Sequence, residues 1–300
     1  MGMRIRTNTQ SMIAQRHLSN SNEKMGESLE KLASGYRINK SKDDAAGLAI
    51  SENLRGTVRG LNVAKRNAND AISMVQVAEG SMNEMGNILI RMRELTVQSA
   101  SDTIGDKERS FLNREYVQLA DEIQRIANTT EFNGNRFFQT GDDDDENIKT
   151  KFVVQVGVNA TSHEANRDTL TIDLSNLKIN VIDMGLIDEA RNAIGAVTTD
   201  SDEFPTQEEI ASKLGVIDKA LFSLSSERAS LGAVQSRLGS TINNLSISTE
   251  NMQTARSRIK DVDFAEETSV LTQQRILSQS GVSVLSQANV TGEMALQLLR

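Results

Sequence analysis

The stretch Leu61–Met92, LNVAKRNANDAISMVQVAEGSMNEMGNILIRM, decides the fold, because its apolar side chains recur at alternating spacings of three and four. Leu61, Ala64, Ala68, Ala71, Val75, Ala78, Met82, Met85, Leu89 and Met92 form a single seam when this stretch is wound as an α-helix. Ala and Met dominate the seam, so the helix must be approached closely by its partner. Upstream the helical pattern begins near Asp44. Downstream it breaks in Ser99–Glu108, SASDTIGDKE, where Asp102, Gly105 and Asp106 supply turn and cap residues, and a second helix follows over about residues 107–128.

A matching seam lies further along the chain. An apolar residue recurs at every seventh position, Ile217, Leu224, Leu231, Leu238, Leu245, Met252 and Ile259, after a capping box formed by Thr206 and Glu209. Residues 206–260 as one helix would be about 80 Å long at about 1.5 Å per residue. Seams of this length call for side-by-side packing along a rod, with the two chain ends returning to the same place. Between them, Asn133-Gly134 is a turn signal in Thr129–Phe138, TTEFNGNRFF. Lys151–Val158, KFVVQVGV, and Asp168–Leu174, DTLTIDL, read as hairpin strands. The expected fold is therefore mainly α, a long antiparallel coiled-coil helix bundle with a small β-hairpin region at its distal tip.

Composition narrows the function. Only 3% of the 300 residues are aromatic and there is one proline, so buried surfaces are made of Leu, Ile, Val, Met and Ala, a palette suited to helix packing. The absence of cysteine removes disulfides, thiol nucleophiles and thiolate metal sites. A net charge of -8, with Lys and Arg dispersed among acids, argues against nucleic acid as the main partner. No apolar run approaches about 18 residues, so no membrane insertion is expected. The start, MGMRIRTNTQ, lacks the apolar core of a secretory signal, and Arg6 stands where a myristoylation pattern needs Ser or Thr. His17 and His163 are far apart and no HExxH is present, which supports neither zinc nor a catalytic triad. The run Asp142–Glu146 lacks the spacing of an EF-hand loop, and N-x-[ST] triplets at Asn128, Asn159, Asn244 and Asn289 are of the kind that arise by chance. No enzyme activity, cofactor or metal is expected.

The segment Ile276–Gly292, ILSQSGVSVLSQANVTG, carries no charge, yet Ser, Gln and Asn interrupt it too often for a lipid-facing helix. Val282, Leu285 and Ala288 give it a narrow apolar stripe, and burial against copies of the same chain is the simple explanation. Leu298 and Leu299 are assigned to the same self-assembly contact.

Several segments, taken in order, resemble one family. Leu32–Gly56, LASGYRINKSKDDAAGLAISENLRG, is similar to the amino-terminal signature of bacterial flagellins, and Arg93–Ser101, RELTVQSAS, and TTEFNGNRFF resemble two further segments. Arg228–Leu238, RASLGAVQSRL, Asn243–Thr268, NNLSISTENMQTARSRIKDVDFAEET, and Ser283–Arg300, SVLSQANVTGEMALQLLR, resemble the carboxy-terminal half. The match covers about the first 140 and last 100 residues; residues 140–206 carry no family signature.

The resemblance implies a structural subunit that polymerises into the flagellar filament. It implies an inner-core domain of paired termini, residues 1–43 and 262–300, a helical rod, 44–139 and 206–261, and a short variable β-rich or loop region, 140–205. The segment Ser34–Gly47 would be a spoke between these shells, returned by Ser257–Glu267, SRIKDVDFAEE. There Gly35 and Gly47 permit turning or close packing, Arg37 and Lys42 can pair with acids, and Asp43 or Asp44 can cap the next helix. Implied partners are further copies in a helical homo-oligomer, a flagellar export chaperone, and the cap and hook-associated proteins. Export to the extracellular filament would use no cleaved signal. Toll-like receptor 5 is an implied partner through Arg91, Leu95 and Glu115, with Ile90 departing from the glutamine of the activating pattern. The alternatives are a flagellin-like hook-filament junction protein, a soluble coiled-coil binding module or adhesin, and an enzyme in the middle region, which at roughly 65 residues is short for an independent enzyme domain.

Overall fold

The computed structural model describes residues 8–138, 151–158, 168–174, 181, 184–187 and 207–297. Thr206 of the expected capping box, the acidic run Asp142–Glu146, His163, Asn159, Leu298 and Leu299 lie outside the described residues. The described chain runs through α1 (Thr9–Ser34), α2 (Ala45–Ser99), α3 (Asp106–Thr129), β1 (Glu131–Phe132), β2 (Asn135–Arg136), β3 (Lys151–Gln155), β4 (Thr169–Asp173), α4 (Gln207–Lys260) and α5 (Phe264–Gln297). It divides into two compact units, one holding the residues up to Arg59 with those from Thr249 onward, the other Gly60–Ser248.

In the Gly60–Ser248 unit, every residue of the seam read from Leu61 to Met92 is buried. On α4, Ile217, Leu224, Leu231, Leu238 and Leu245 are buried as well. The helices run antiparallel. Arg93 Nε lies 2.8 Å from Asp218 Oδ1, and a Cβ placed on Gly86 would sit 3.5 Å from Leu224 Cδ2. The helix α3 adds Tyr116, Ala120, Ile123 and Ala127 to the same core. Where helices meet, alanines with no exposed surface (Ala68, Ala120, Ala127) let the backbones close in. Arg109 secures the α2–α3 connection, with Nη2 donating to the Ser101 carbonyl at 3.4 Å and Asp102 and Asp106 at 4.0 and 3.9 Å.

The β-rich segments form two antiparallel pairs. Between β1 and β2, Asn133 (φ 53°) and Gly134 (φ 77°) both take left-handed backbone, the requirement of a tight turn whose twist matches the strands. Strand β3 pairs with β4 from Lys151 opposite Asp173 to Gln155 opposite Thr169. Leu170, Ile172 and Leu174 point into the core and Val153 points out. Phe137 packs edge-on against Phe138 and Phe152, with centroids 6.3 and 5.7 Å away.

The position of this hairpin corrects the expected distal tip. Asn67 Nδ2 donates to the Gln155 carbonyl at 3.1 Å, and a Cβ on Gly60 would lie 2.5 Å from Val158 Cγ1, so β3 lies along the first half of α2 and not beyond Ser99. The reason is a difference in length. The 24-residue α3, held in register by Arg91–Glu115, runs back along only part of the 55-residue α2. The apolar face of the hairpin covers seam that α3 does not reach.

In the other unit, α1 and α5 pack antiparallel with little apolar core. Ala14 and Ser28 are the buried residues of α1, and Gln274 and Ala288 are buried on α5. Polar contacts set the register. Asn8 Nδ2 donates to the Ala288 carbonyl (2.9 Å), Ser11 Oγ to Asn289 Oδ1 (3.0 Å) and Ser278 Oγ to Asn22 Oδ1 (2.9 Å). Met252 and Ile259, the last positions of the α4 seam, are half-buried here.

Close approach at the alanines has a direct test. Ala78→Leu should destabilise the protein by about 1–3 kcal/mol through overpacking. Val77→Leu, on the neighbouring exposed position, should stay within about 0.5 kcal/mol. Thermal melting of the two variants should separate them clearly.

Candidate assembly surfaces and the helix junction

The segment joining α1 to α2 is built residue by residue from turn chemistry. Gly35 ends α1 in left-handed backbone (φ 74°) and its N–H bonds to the Lys31 carbonyl at 2.9 Å, a conformation in which a Cβ would be strained. The chain then pairs with its own return strand. Arg37 N–H donates to the Lys260 carbonyl at 2.7 Å and Val262 N–H to the Gly35 carbonyl at 3.1 Å, with Tyr36 opposite Asp261. Buried Ile38 anchors the crossing.

Side chains lock this arrangement. Asp43 Oδ2 accepts the N–H groups of Asn39 (3.0 Å) and Lys40 (2.9 Å), closing the turn. Asp44 Oδ1 accepts the Gly47 N–H at 2.8 Å and so caps α2. Each aspartate thus has its own task. A Cβ on Gly47 would overlap the Asp44 carboxylate and lie 2.8 Å from Ile38 Cδ1, so only glycine fits beneath the cap. Lys42 pairs with Glu27 and Lys40 with Glu30, both at 2.7 Å. Arg37 departs from the expected acid partner, because its Nη2 donates to the Ile259 carbonyl at 2.8 Å. On the return side, Asp263 Oδ1 caps α5 through the N–H groups of Ala265 and Glu266. Lys260 Nζ lies 3.0 Å from Glu52 and 5.1 Å from the centre of the Tyr36 ring. The pairing of residues 35–37 with 260–262 was not foreseen from the sequence, since two short irregular segments more than 200 residues apart carry no periodicity.

Three carboxyls at this junction sit below their ordinary range. Backbone hydrogen bonds from Lys40 and Asn39 lower Asp43, the hydrogen bond from Lys42 lowers Glu27, and that from Lys260 lowers Glu52.

The stripe expected to pack against copies of the chain divides. Ala288 is buried, Leu285 is half-buried and Val282 is 54% exposed, because steps of three drift around the helix. The larger apolar surface comes from residues not singled out beforehand, Ile276, Leu277 and Val284 on α5 with Met12 and Ile13 on α1, all exposed. An open groove of about 550 Å³ between the two helices is lined by Ile13, Ala14, His17, Leu277, Gly281 and Val284, among others.

On α2 and α3, Arg91 meets Glu115 through Nε (3.0 Å) and Nη2 (2.8 Å), and Glu94 through Nη1 (2.9 Å). Leu95 is 1% exposed. It packs in the core beneath this ion pair and offers no surface for a partner, which corrects its expected role as a contact.

Comparison with known proteins follows the same architecture. The model of the bacterial flagellin N-terminal helical region matches residues 5–142, and that of the C-terminal helical region matches residues 214–299. The chain is 41% identical to flagellin of Bacillus subtilis (strain 168) over 318 residues, covering 99% of this chain and 100% of that protein. The chain belongs to the bacterial flagellin family. It is also 39% identical to a flagellin of Halalkalibacterium halodurans over 298 residues, covering 99% of this chain and 100% of that one. Among solved structures it is similar to Bacillus cereus flagellin, with 28% identity, a TM-score of 0.46, and coverage of 60% of this chain and 88% of that chain. As a flagellin, the chain is a structural subunit of the flagellar filament.

The junction makes a pH-dependent prediction. Carboxyls whose values are lowered by folding stabilise the folded form at neutral pH, and that contribution is lost as pH falls through the lowered values. Asp43→Asn should therefore reduce the melting temperature at pH 7, and the gap to the parent should close below about pH 4 as the carboxyls protonate. Asp44→Ala should cost about 1 kcal/mol of helix cap. Melting curves across pH would show both effects.

Proposed function

We propose that filament formation runs through the α1–α5 pair, whose apolar side chains find partners on neighbouring copies. The observation that carries this reading is the imbalance on the pair. Among the described residues, Ala14 and Ala288 are its buried apolar residues, whereas Ile13, Ile276, Leu277, Val282 and Val284 are each more than 40% exposed. Burying such side chains yields roughly 25 cal/mol per Å² of apolar area, so association can supply what intrachain packing leaves out. Residues 1–43 with 262–300 then form the inner core of the filament, 44–139 with 206–261 the surrounding rod, and 140–205 the variable part. Before assembly an export chaperone covers the carboxy-terminal face, export takes the chain to the extracellular filament without a cleaved signal, and the cap and hook-associated proteins contact the same terminal helices at the filament ends.

Deleting residues 276–300 should give a soluble monomer that does not polymerise. It should lose helix signal from α1 as well as α5, because α1 loses the helix it packs against. Sedimentation and circular dichroism measure this, and filaments from the truncated chain would refute the reading.

We also propose Toll-like receptor 5 as a partner of the monomer at the Arg91–Glu115 surface, with Leu95 supporting that surface from beneath. Arg91→Ala should reduce signalling in a reporter-cell assay by about tenfold or more if it is a hot spot. Equal signalling by the variant and the parent would remove this contact.

A further inference from the structure

The groove between α1 and α5 has a chemical character of its own. Its walls include Ile13, His17, Leu277, Ser280, Gly281 and Val284, and it holds about 550 Å³. A Cβ on Gly281 would meet Leu18 Cδ1 at 3.4 Å, so this glycine lets the two helices close beside the groove. Of all the residues that line it, His17 alone can take a charge. Residues 7–15 are uncharged, and residues 276–292 are the longest run in the chain without an ionisable side chain. Among the described residues, the ionisable positions nearest to His17 along the two helices are Arg16, Glu23 and Lys24 on α1 and Arg275 on α5, and none of them lines the groove.

A groove without charge excludes a charged occupant, because an ion buried there would lose its water and gain no partner. The exposed segment of matching chemistry is on α5 itself. Ile276, Ser283 and Val290 recur at every seventh position, are exposed, and share one face of the helix. That face points away from α1, since Ser278, which bonds Asn22, stands about 200° around the helix from Ile276. Each copy therefore offers a groove on one side of α5 and an uncharged ridge on another, and a filament subunit meets further copies of itself.

We infer that the ridge of Ile276, Ser283 and Val290 of one copy seats in the groove beside His17 of the next, and that protonation of His17 releases it. The inference rests on the filament reading above and adds the segment that meets the α1–α5 pair and the group that controls the contact. Ridge and groove are different surfaces, so the contact is heterologous and propagates when it does not close into a ring. Seating the ridge strips water from His17. A neutral ring tolerates this, whereas an imidazolium would be buried among uncharged side chains with no carboxylate to pair with it. Imidazoles ordinarily change charge between about pH 5 and 8, so the contact is complete above that range and lost as pH falls through it.

Critical concentrations for polymerisation at about pH 7.5 and about pH 5.5 test the release, in a window above the range where ordinary carboxyls protonate. The parent should need about tenfold more protein at the lower pH. His17→Gln, which cannot take a proton, should change by less than about threefold, and His17→Arg should need about tenfold more than the parent at the higher pH. The chain has no cysteine, so introduced ones report which surfaces meet. Filaments from an equimolar mixture of Ser280→Cys and Ser283→Cys chains should give, on mild oxidation, disulfide dimers that join the two variants, in excess of the dimers from either alone. Circular dichroism checks that each variant monomer is folded like the parent. Equal pH dependence in the parent and His17→Gln, a His17→Gln chain that forms no filaments, or a His17→Arg chain that polymerises like the parent would overturn the control by His17. No excess of mixed dimers would overturn the seating of the ridge. A parent chain that forms no filaments at either pH would instead refute the filament reading itself.

Discussion

The burial of an alanine-rich seam along α2 governs the rest of the molecule. Alanine at positions 64, 68, 71 and 78 leaves no side-chain bulk to hold a partner helix away, so the helices approach closely and any larger residue there meets a wall. Buried residues of α2, α3, α4 and the β3–β4 hairpin share one continuous core. The hairpin is therefore part of the core and not an ornament on it. Gly60 is required because Val158 comes up against the helix at that point.

The second unit is organised by different physics. Few apolar residues are buried between α1 and α5, and the hydrogen bonds from Asn8, Ser11 and Ser278 choose one register from the many that a thin apolar interface would allow. Such bonds contribute about 1 kcal/mol each at best, but misalignment would leave them unmade, so they specify more than they stabilise. The junction uses the same logic. Backbone pairing of residues 35–37 with 260–262 fixes where the two chain directions cross, and the aspartate caps fix where each helix resumes.

Much of this was legible in the sequence because it is periodic. The heptad positions on α2 and α4 announce burial, the Asn-Gly pair announces a tight turn, and the acidic and glycine residues near 102–106 announce a helix break. What could not be read has a common cause in chain separation. The placement of β3 along α2 depends on how far α3 runs back, a matter of relative lengths. Arg37 bonds a carbonyl from the return segment, and nothing local distinguishes that acceptor from an acid. Leu95 shows a further limit. Its neighbours Arg91 and Glu94 are exposed, yet Leu95 belongs to the shared core. On α5, a helix with apolar residues on several faces gives no unique stripe, so the sequence alone does not single out the exposed Ile276, Leu277 and Val284.

On the filament contact proposed for the α1–α5 pair, the scarcity of buried surface between these helices makes concentration a folding variable for them. A domain with a full core keeps the same stability in dilute and in crowded solution, whereas a unit completed by its neighbours gains stability by mass action as copies accumulate. Dilute chains would hold this pair weakly and concentrated ones firmly, so the fold of the terminal helices reports how many other copies are within reach.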